Sequence, residues 1–370
     1  MSDKRGRLLS LDALRGFNMF FITGGEALLI ALSLLVTGHE GSWLAIQMTH
    51  VDWIGLRLYD CIFPLFVFIT GVTFPFSTEK RLARGDTRKD IALNVLRRTA
   101  LLIFFGLLFS GVQRLDWAHF RVWSVIGRVG LVWGMAALLT LFFRLRTCIV
   151  IAFVTLVAWW LVLRFVPAPD APVGVNPALQ MAASFPAWFD THFLTTVHRH
   201  EGGLATLAMV PTGLFGVWAG KFLMLEKQGL TETQKTVTML MVAVASVVFG
   251  CLWALPSWGV PVIKSVWSSS YTLVTGGLSL ALLATFHWII DVRGWVRWSF
   301  FFRVIGINAI AAYLAWRFIP FGQISRDLLG ALPRACDMPG WEDVCLRLGK
   351  IVILWFSLLF LYKKEIIIKA

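Results

Sequence analysis

Long apolar runs, separated by short polar segments, recur along the whole chain. Each run approaches the ~20 residues that an α-helix needs to cross a hydrocarbon core of ~30 Å. The pattern therefore predicts an all-α fold, a polytopic transmembrane helical bundle of about ten helices. The expected spans are residues 11–36, 60–78, 96–113, 122–143, 147–166, 203–222, 236–255, 270–290, 300–317 and 350–368.

Lysine and arginine residues are concentrated in alternate loops between these runs. Because positively charged loops stay in the cytoplasm, we expect both the N-terminus and the C-terminus to be cytoplasmic. The densest basic group follows the second expected span and contains Lys80, Arg81, Arg84, Arg88 and Lys89. We expect residues 1–370 to form a single domain. Its long loops, at about 37–59, 165–202 and 318–349, are then extracytoplasmic.

The composition agrees with a membrane protein. Of the 370 residues, 58% are hydrophobic and only 15% are charged, whereas typical soluble domains are about one quarter charged. The net charge of +13 would point to nucleic acid in a soluble protein, but here the basic residues are spread over short segments between apolar runs. We therefore expect membrane lipid, and no nucleic acid, as a partner. The N-terminal run contains polar residues and no small-residue cleavage site, so we interpret it as a retained helix.

Four polar residues lie on one face of the first expected span. At about 100° per residue, Asp12, Arg15, Asn18 and Glu26 fall within an arc of roughly 120°. Ionisable groups inside a membrane cost about 2.5–3.5 kcal/mol each, so they need a partner or a wet cavity. Asp12 and Arg15 are three residues apart and can form an ion pair that serves only helix packing. Asn18 and Glu26 lie deeper, and we interpret them as candidate substrate or oxyanion residues.

A histidine and an aspartate flank the start of the second expected span. His50 lies just before this helix, on the side that we expect to be extracytoplasmic, and Asp60 lies near its first turn. An imidazole beside a carboxylate is the usual pair for general-base catalysis near neutral pH. A lone histidine at a membrane interface more often contacts only lipid headgroups. The nearby carboxylate makes His50 and Asp60 the candidate catalytic residues.

Further polar residues occur in or beside later spans. Arg128 lies in an apolar run and needs a counter-charge, for which Glu26, Asp60 and Glu201 are candidates. Ser269 lies in a run of three serines that opens the eighth span, and an ordinary helix N-cap explains such a serine equally well. The candidate substrate or oxyanion residues thus also include Arg128, Glu201, Ser269 and Asn308.

The histidines and cysteines do not form a metal-binding pattern. His192, His198 and His200 lie close together in one loop, but the sequence has none of the usual metal-ligand spacings, so we predict no metal. Cys336 and Cys345 share a loop that we place outside the cell, where disulfides form. Whether they pair is left open by the sequence.

Six sequence blocks together resemble one known family. They are LSLDALRG at 9–16, HVDWIGLRLYDCIFPLFVFITG at 50–71, GRVGLV at 127–132, EGGL at 201–204, WSSSYTL at 267–273 and RVIGINAI at 303–310. In these blocks the chain resembles the heparan-alpha-glucosaminide N-acetyltransferase family of membrane-bound acyltransferases. The first two blocks are specific, and the resemblance extends over nearly the whole chain.

The resemblance implies transfer of an acetyl group from cytosolic acetyl-CoA, the cosubstrate, to the amine of a terminal glucosamine across the membrane. The family's active-site histidine matches His50, and its following acidic position matches Asp60. Bacterial relatives linked to N-acetylglucosamine utilisation imply a multi-pass protein of the bacterial inner membrane. The chain departs from the family at His200, where relatives often have Asp-Pro before the glutamate that matches Glu201. The acceptor sugar is therefore undetermined.

The reaction and its partners leave several alternatives open. The phosphates of CoA would need basic residues at an inner mouth, and Arg97, Arg98 and Lys221 are the candidates, although membrane topology alone also explains their charges. His50 either acts as the base of a direct transfer or is acetylated first. A transporter for an amino sugar or N-acetylglucosamine is the competing interpretation, because ten helices with buried charges suit it equally well. We expect an amino-sugar acceptor, and a homodimer remains open.

Overall fold

The computed structural model of the chain describes residues 8–109, 123–193, 202–225, 229–330 and 340–368. Apart from two isolated bridge pairs, the regular structure in these ranges is helical, which confirms the predicted all-α class. The α-helices are α1 Leu9–Phe20, α2 Glu26–Thr37, α3 Trp43–Gln47, α4 Ile62–Leu82, α5 Arg88–Phe109, α6 Val125–Phe142, α7 Leu145–Phe165, α8 Phe185–Phe193, α9 Ala205–Leu223, α10 Glu232–Trp253, α11 Ser269–Phe286, α12 Phe300–Ile307, α13 Ala309–Phe318, α14 Phe321–Leu329 and α15 Trp341–Lys363.

Nine helical stretches within the described ranges are long and apolar enough to cross a membrane. The first of them combines α1 and α2 over 29 residues. A tenth is obtained when α12 and α13, which are bent by 77° at Asn308, are taken as one broken span. The chain is thus a multi-pass membrane protein with the predicted number of helices. Its orientation in the membrane stays a prediction.

The last span begins earlier than the sequence pattern predicts. The expectation was 350–368, whereas α15 runs over Trp341–Lys363. Its first turn contains Glu342 and Asp343, whose charges excluded this stretch from the apolar run, although acidic groups are favourable at a helix N-terminus. All three expected loops also contain helices, since α3 lies within 37–59, α8 within 165–202 and α14 within 318–349.

The chain divides into two compact units, of which unit 1 comprises Met1–His50, Arg57–Ile62 and Thr285–Ala370. In unit 1, α1 lies directly against α12. A Cβ atom at Gly16 would overlap the carbonyl group of Phe302, and one at Gly306 would overlap the carbonyl oxygen of Asp12. Glycine at such crossings lets two helix backbones pack closely inside a membrane.

Unit 2 comprises Val51–Leu56 and Phe63–Ala284. Its short first segment is anchored by backbone and indole contacts: Ile54 pairs with Ile263, and the Trp53 indole donates to the Ala178 carbonyl at 3.1 Å. The middle of the connection between His50 and Asp60 therefore belongs to unit 2, while both of its ends belong to unit 1.

The first span is not a continuous α-helix. Thr23 (φ −102°, ψ 37°) and Gly24 (φ +102°) leave helical geometry between α1 and α2. Glycine adopts a positive φ readily, and a Cβ atom at Gly24 would lie only 2.7 Å from the Trp316 ring. Irregular backbone within a span requires surrounding protein and frequently marks a functional site. Glu26 consequently begins a new helix midway along this span.

Candidate active site

His50 and Asp60 form a hydrogen-bonded pair in unit 1. Asp60 lies in a 3₁₀ turn, Leu58–Cys61, that leads into α4. Its Oδ2 accepts the backbone N–H of Arg57 at 3.1 Å, and its Oδ1 lies 2.7 Å from Nδ1 of His50. The Asp60 side chain is completely buried, whereas the His50 side chain is 53% exposed. The arrangement thus has a buried carboxylate behind an accessible imidazole.

Arg57 and Tyr59 contact the backbone and the ring of His50, respectively. The Arg57 guanidinium donates to the His50 carbonyl at 2.8 Å and to the hydroxyl of Thr49. The ring of Tyr59 stacks on that of His50, with centroids 4.8 Å apart and planes inclined by 27°. The sequence analysis identified His50 and Asp60 but missed Arg57 and Tyr59, although both lie within three residues of Asp60 along the chain.

This geometry determines which ring nitrogen can act in catalysis. A carboxylate can only accept a hydrogen bond, so Nδ1 of His50 must carry the proton that faces Asp60. The other nitrogen, Nε2, is then the basic one. The same carboxylate stabilises the imidazolium that forms when Nε2 takes up a proton, as in a catalytic triad.

Glu26 lies close to this pair within unit 1. It interacts electrostatically with Tyr59, the residue that stacks on His50, and with Arg347 of α15. Arg347 also forms a 2.7 Å salt bridge with Asp343, one turn earlier in α15. The sequence analysis missed Arg347 because the last span was expected to begin at residue 350.

The other polar residues of the first span have different environments. Asp12 and Arg15 form an ion pair of 3.0 Å, and Arg15 approaches the Gly306 carbonyl at 3.4 Å. Asn18 is fully buried, and neither polar atom of its side chain has a hydrogen-bond partner among the described residues. The polar face predicted for this helix thus separates into a packed ion pair and an amide with unused hydrogen-bonding capacity.

Asn308 has both side-chain groups engaged by the end of the chain. Its amide nitrogen donates to the Ile366 carbonyl at 3.0 Å, and its oxygen accepts the backbone N–H of Ile368 at 3.0 Å. These two bonds tie the bend between α12 and α13 to the segment that follows α15. The geometry therefore gives Asn308 a structural role at this bend.

Arg128 is buried in α6 of unit 2. Its guanidinium lies 5.0 Å from the centroid of the Phe63 ring and interacts electrostatically with Asp190 of α8. The sequence analysis considered Glu26, Asp60 and Glu201 as its counter-charge and missed Asp190. Glu201 lies outside the described residues.

Asp190 anchors the segment that precedes α9. Its Oδ1 accepts the backbone N–H of Leu204 at 2.9 Å, and the N–H of Gly203 also interacts with the carboxylate. Burial raises the pKa of Asp190, while these N–H groups and Arg128 act in the opposite direction. A carboxylate with these partners fixes the backbone next to the Glu201 position.

The serines that open α11 serve the local backbone. Ser269 donates to the Leu156 carbonyl at 2.6 Å, and Ser268 accepts the N–H groups of Ile263 and Tyr271 at 3.0 and 3.2 Å. These bonds favour the helix-cap interpretation over an oxyanion role.

The basic residues proposed for CoA all lie in unit 2. Arg97 is exposed on α5, whereas the neighbouring Arg98 stacks over Trp133 with 4.8 Å between the guanidinium carbon and the ring centroid. Lys221 lies in the last turn of α9. A role of these three residues in binding phosphate stays a prediction.

The histidines and cysteines considered from the sequence for a metal site and for a disulfide are His192, His198, His200, Cys336 and Cys345. Nδ1 of His192 donates to the Trp188 carbonyl at 2.9 Å, and its ring stacks on the Trp188 ring. Within the part of the chain that the structure describes, no three His, Cys, Asp or Glu residues are grouped to hold a metal. His198, His200 and Cys336 lie outside the described residues, so the question whether Cys336 and Cys345 pair stays open.

Two curated proteins are similar to this chain in sequence. The human heparan-alpha-glucosaminide N-acetyltransferase is 25% identical over 361 residues, which cover 83% of this chain and 52% of the human protein. The mouse heparan-alpha-glucosaminide N-acetyltransferase is 26% identical over 342 residues, covering 77% and 51%. The chain thus spans about half the length of these relatives. No protein-family model matches it.

Proposed function

We propose that the chain belongs to the family of heparan-alpha-glucosaminide N-acetyltransferases, as its two curated relatives support, and that it is a membrane-embedded N-acyltransferase that moves an acetyl group from acetyl-CoA to the amine of a glucosamine-type sugar. The observation that supports this most directly is the 2.7 Å contact between the half-exposed His50 and the buried Asp60. We further propose that the acceptor binds on the extracytoplasmic side, that acetyl-CoA enters from the cytoplasm, and that the membrane is a bacterial inner membrane.

The pair meets the main chemical requirement of the reaction. An amine attacks a thioester only in its unprotonated form, so a nearby base with a pKa close to the working pH accelerates the attack. Nε2 of His50 removes the amine proton as the nitrogen forms a bond to the acetyl carbon. The carbon–sulfur bond breaks, and the imidazolium returns the proton to the CoA sulfur. Asp60 stabilises the imidazolium between these two proton transfers.

A second route uses the same residues. Nε2 of His50 can attack the thioester first, which releases CoA and leaves an acetylated imidazole. The sugar amine then attacks this acetyl group and regenerates the histidine. The two routes differ in one observable, since only the second predicts labelling of the protein by acetyl-CoA in the absence of a sugar.

The donor substrate has a matching group in the first span. CoA carries a pantetheine arm with two amide bonds, and the buried carboxamide of Asn18 has one donor and one acceptor group without partners among the described residues. An amide side chain can pair with another amide through both groups. We propose Asn18 as a contact of this arm, with Arg97, Arg98 and Lys221 as candidates for the phosphates.

Purified full-length protein in proteoliposomes tests the proposal. Radiolabelled acetyl-CoA and glucosamine should yield labelled N-acetylglucosamine, and His50→Ala should lower the rate about 10²–10⁴-fold, the usual contribution of a general base. His39→Ala is the matched control, because His39 is an exposed histidine in the loop after α2. Undiminished transfer by His50→Ala would remove the basis of the proposal.

Transport is the second candidate function. The breaks at Thr23–Gly24 and at Asn308 resemble the discontinuous helices that form substrate sites in secondary transporters. A transporter would accumulate labelled glucosamine or N-acetylglucosamine in vesicles without acetyl-CoA and would form no acetylated product. The same proteoliposomes therefore separate the two functions.

A further inference from the structure

The break in the first span gives Glu26 an unusual local role. The first N–H groups of a helix have no partner within the helix, and a hydrocarbon environment offers no water to replace it. At the start of α2 the Glu26 carboxylate interacts with the backbone N–H groups of Gly24, Glu26 and Ala27. A helix N-terminus attracts anions. Here, however, a side chain of the protein already occupies that position.

Only one of the two carboxylate oxygens is used in this way. Oε2 of Glu26 is buried and has no hydrogen-bond partner among the described residues. An ionised carboxylate oxygen can only accept hydrogen bonds, and a buried polar atom without a partner is costly. The position is therefore suited to a ligand that offers a donor group.

The neighbours of Glu26 place this acceptor next to the catalytic pair. Tyr59 interacts with Glu26 and stacks on His50. Arg347 of α15, which forms a salt bridge with Asp343, interacts electrostatically with Glu26 and provides a positive charge there. A group bound at Oε2 would thus lie near Tyr59, the residue whose ring stacks on His50.

We infer that Oε2 of Glu26 binds a hydroxyl or ammonium group of the acceptor sugar, so that Glu26 selects neutral or cationic sugars over sugars bearing a carboxylate or sulfate. This inference rests on the proposed function, because it assigns the acceptor to the site of His50 and Asp60. Its physical basis is charge: a fixed carboxylate attracts a donor and repels another anion, and the effect is strong where little water screens it.

Glu26 could instead serve only as a cap for α2, and the isosteric substitution Glu26→Gln separates the two roles. Glutamine keeps the length of the side chain and one carbonyl oxygen for the N–H groups of the break, but it removes the charge. If Glu26 served only as a cap, this substitution would leave the acceptor preference unchanged. A selecting residue changes the preference itself.

The experiment compares two acceptors in proteoliposomes with saturating acetyl-CoA: glucosamine and glucosamine 6-sulfate. We expect the wild-type protein to prefer glucosamine. Glu26→Gln should lower the ratio of kcat/KM values about tenfold or more, mainly through KM, as a hydrogen bond to a charged group contributes. Glu40→Gln, which removes an exposed carboxylate from the loop after α2, should match the wild type. An unchanged ratio, or an equal fall in kcat for both acceptors, would overturn the inference.

Binding without acetyl-CoA separates this inference from the proposed function. Calorimetric titration of glucosamine should show a Kd about tenfold weaker for Glu26→Gln than for the wild type. If this difference is found but no protein transfers acetyl groups, the proposed function fails and the role of Glu26 stands. If transfer occurs and glucosamine binds both proteins equally, the role of Glu26 fails alone.

Discussion

Replacing Asp60 with asparagine tests the catalytic pair most sharply. The two oxygens of Asp60 have separate partners, His50 Nδ1 at 2.7 Å and the Arg57 N–H at 3.1 Å. In Asp60→Asn the carbonyl oxygen can still accept from Arg57, whereas the amide NH₂ then faces His50. Nδ1 must become the acceptor of that hydrogen bond. The proton moves to Nε2, which can no longer take one from the sugar amine.

The size of the effect follows from the loss of the base. General-base assistance contributes about 10²–10⁴-fold, and the corresponding change in a serine-protease triad lowers kcat about 10⁴-fold. We therefore expect kcat/KM of Asp60→Asn to fall about 10²–10⁴-fold. At ~1.36 kcal/mol for each factor of ten, this is ~2.7–5.4 kcal/mol of lost transition-state stabilisation. The unfolding temperature should change little, because the bond to Arg57 survives.

The assay is the initial rate of acetyl transfer in proteoliposomes by four proteins: wild type, His50→Ala, Asp60→Asn and the double variant. Since the two residues act as a unit, the double variant should be no slower than His50→Ala alone. Asp52→Asn is the control, because Asp52 is an exposed carboxylate in the same segment. Multiplying effects in the double variant, or an Asp60→Asn rate above about one third of wild type, would refute the reasoning.

Three further predictions concern stability. Gly24→Ala should lower the free energy of unfolding by about 1–3 kcal/mol, because the new side chain adopts a positive φ and contacts the Trp316 ring. The control Gly38→Ala also has a positive φ but open space around it, so it should cost less. Equal unfolding temperatures of the two variants would contradict this prediction. Burial raises the pKa of Asp190 above 3.8, so the folded protein holds the carboxyl proton more tightly than the unfolded chain does. The stability that this proton contributes is fully present below pH 3.8 and is lost as the pH rises through the raised pKa. Asp190→Asn should flatten this fall in unfolding temperature as the pH rises above 3.8, and identical profiles would show that Asp190 is not its source. Ser269→Ala should lower the free energy of unfolding by about 1 kcal/mol and leave kcat/KM unchanged. Slower acetyl transfer at an unchanged unfolding temperature would instead support the oxyanion role considered for Ser269.

The membrane-spanning helices were predictable because burial in lipid requires long apolar runs, and such runs are visible in composition alone. The start of α15 was not, because Glu342 and Asp343 extend the helix as charged residues of its first turn. The break at Gly24 was also missed. Its cause is a tertiary contact with Trp316, almost three hundred residues away along the chain.

The contact between His50 and Asp60 was predictable for a different reason. His50 and Asp60 are ten residues apart on either side of a helix start, so local sequence brings their types together. Arg347 and Asp190 could not be found in this way, because their importance depends on which distant residue each one approaches. Asn308 and Ser269 show the converse, since polar residues in apolar spans can be used entirely by nearby backbone groups.

The packing of Trp316 on Gly24 has a consequence for exchanging parts between relatives. The shape of the first span is set jointly by its own residues and by an indole from α13. A chimera that receives residues 9–37 from a homologue would therefore inherit a bend without the ring that supports it, or a ring without the bend. Swapped segments should function only when both regions come from the same parent.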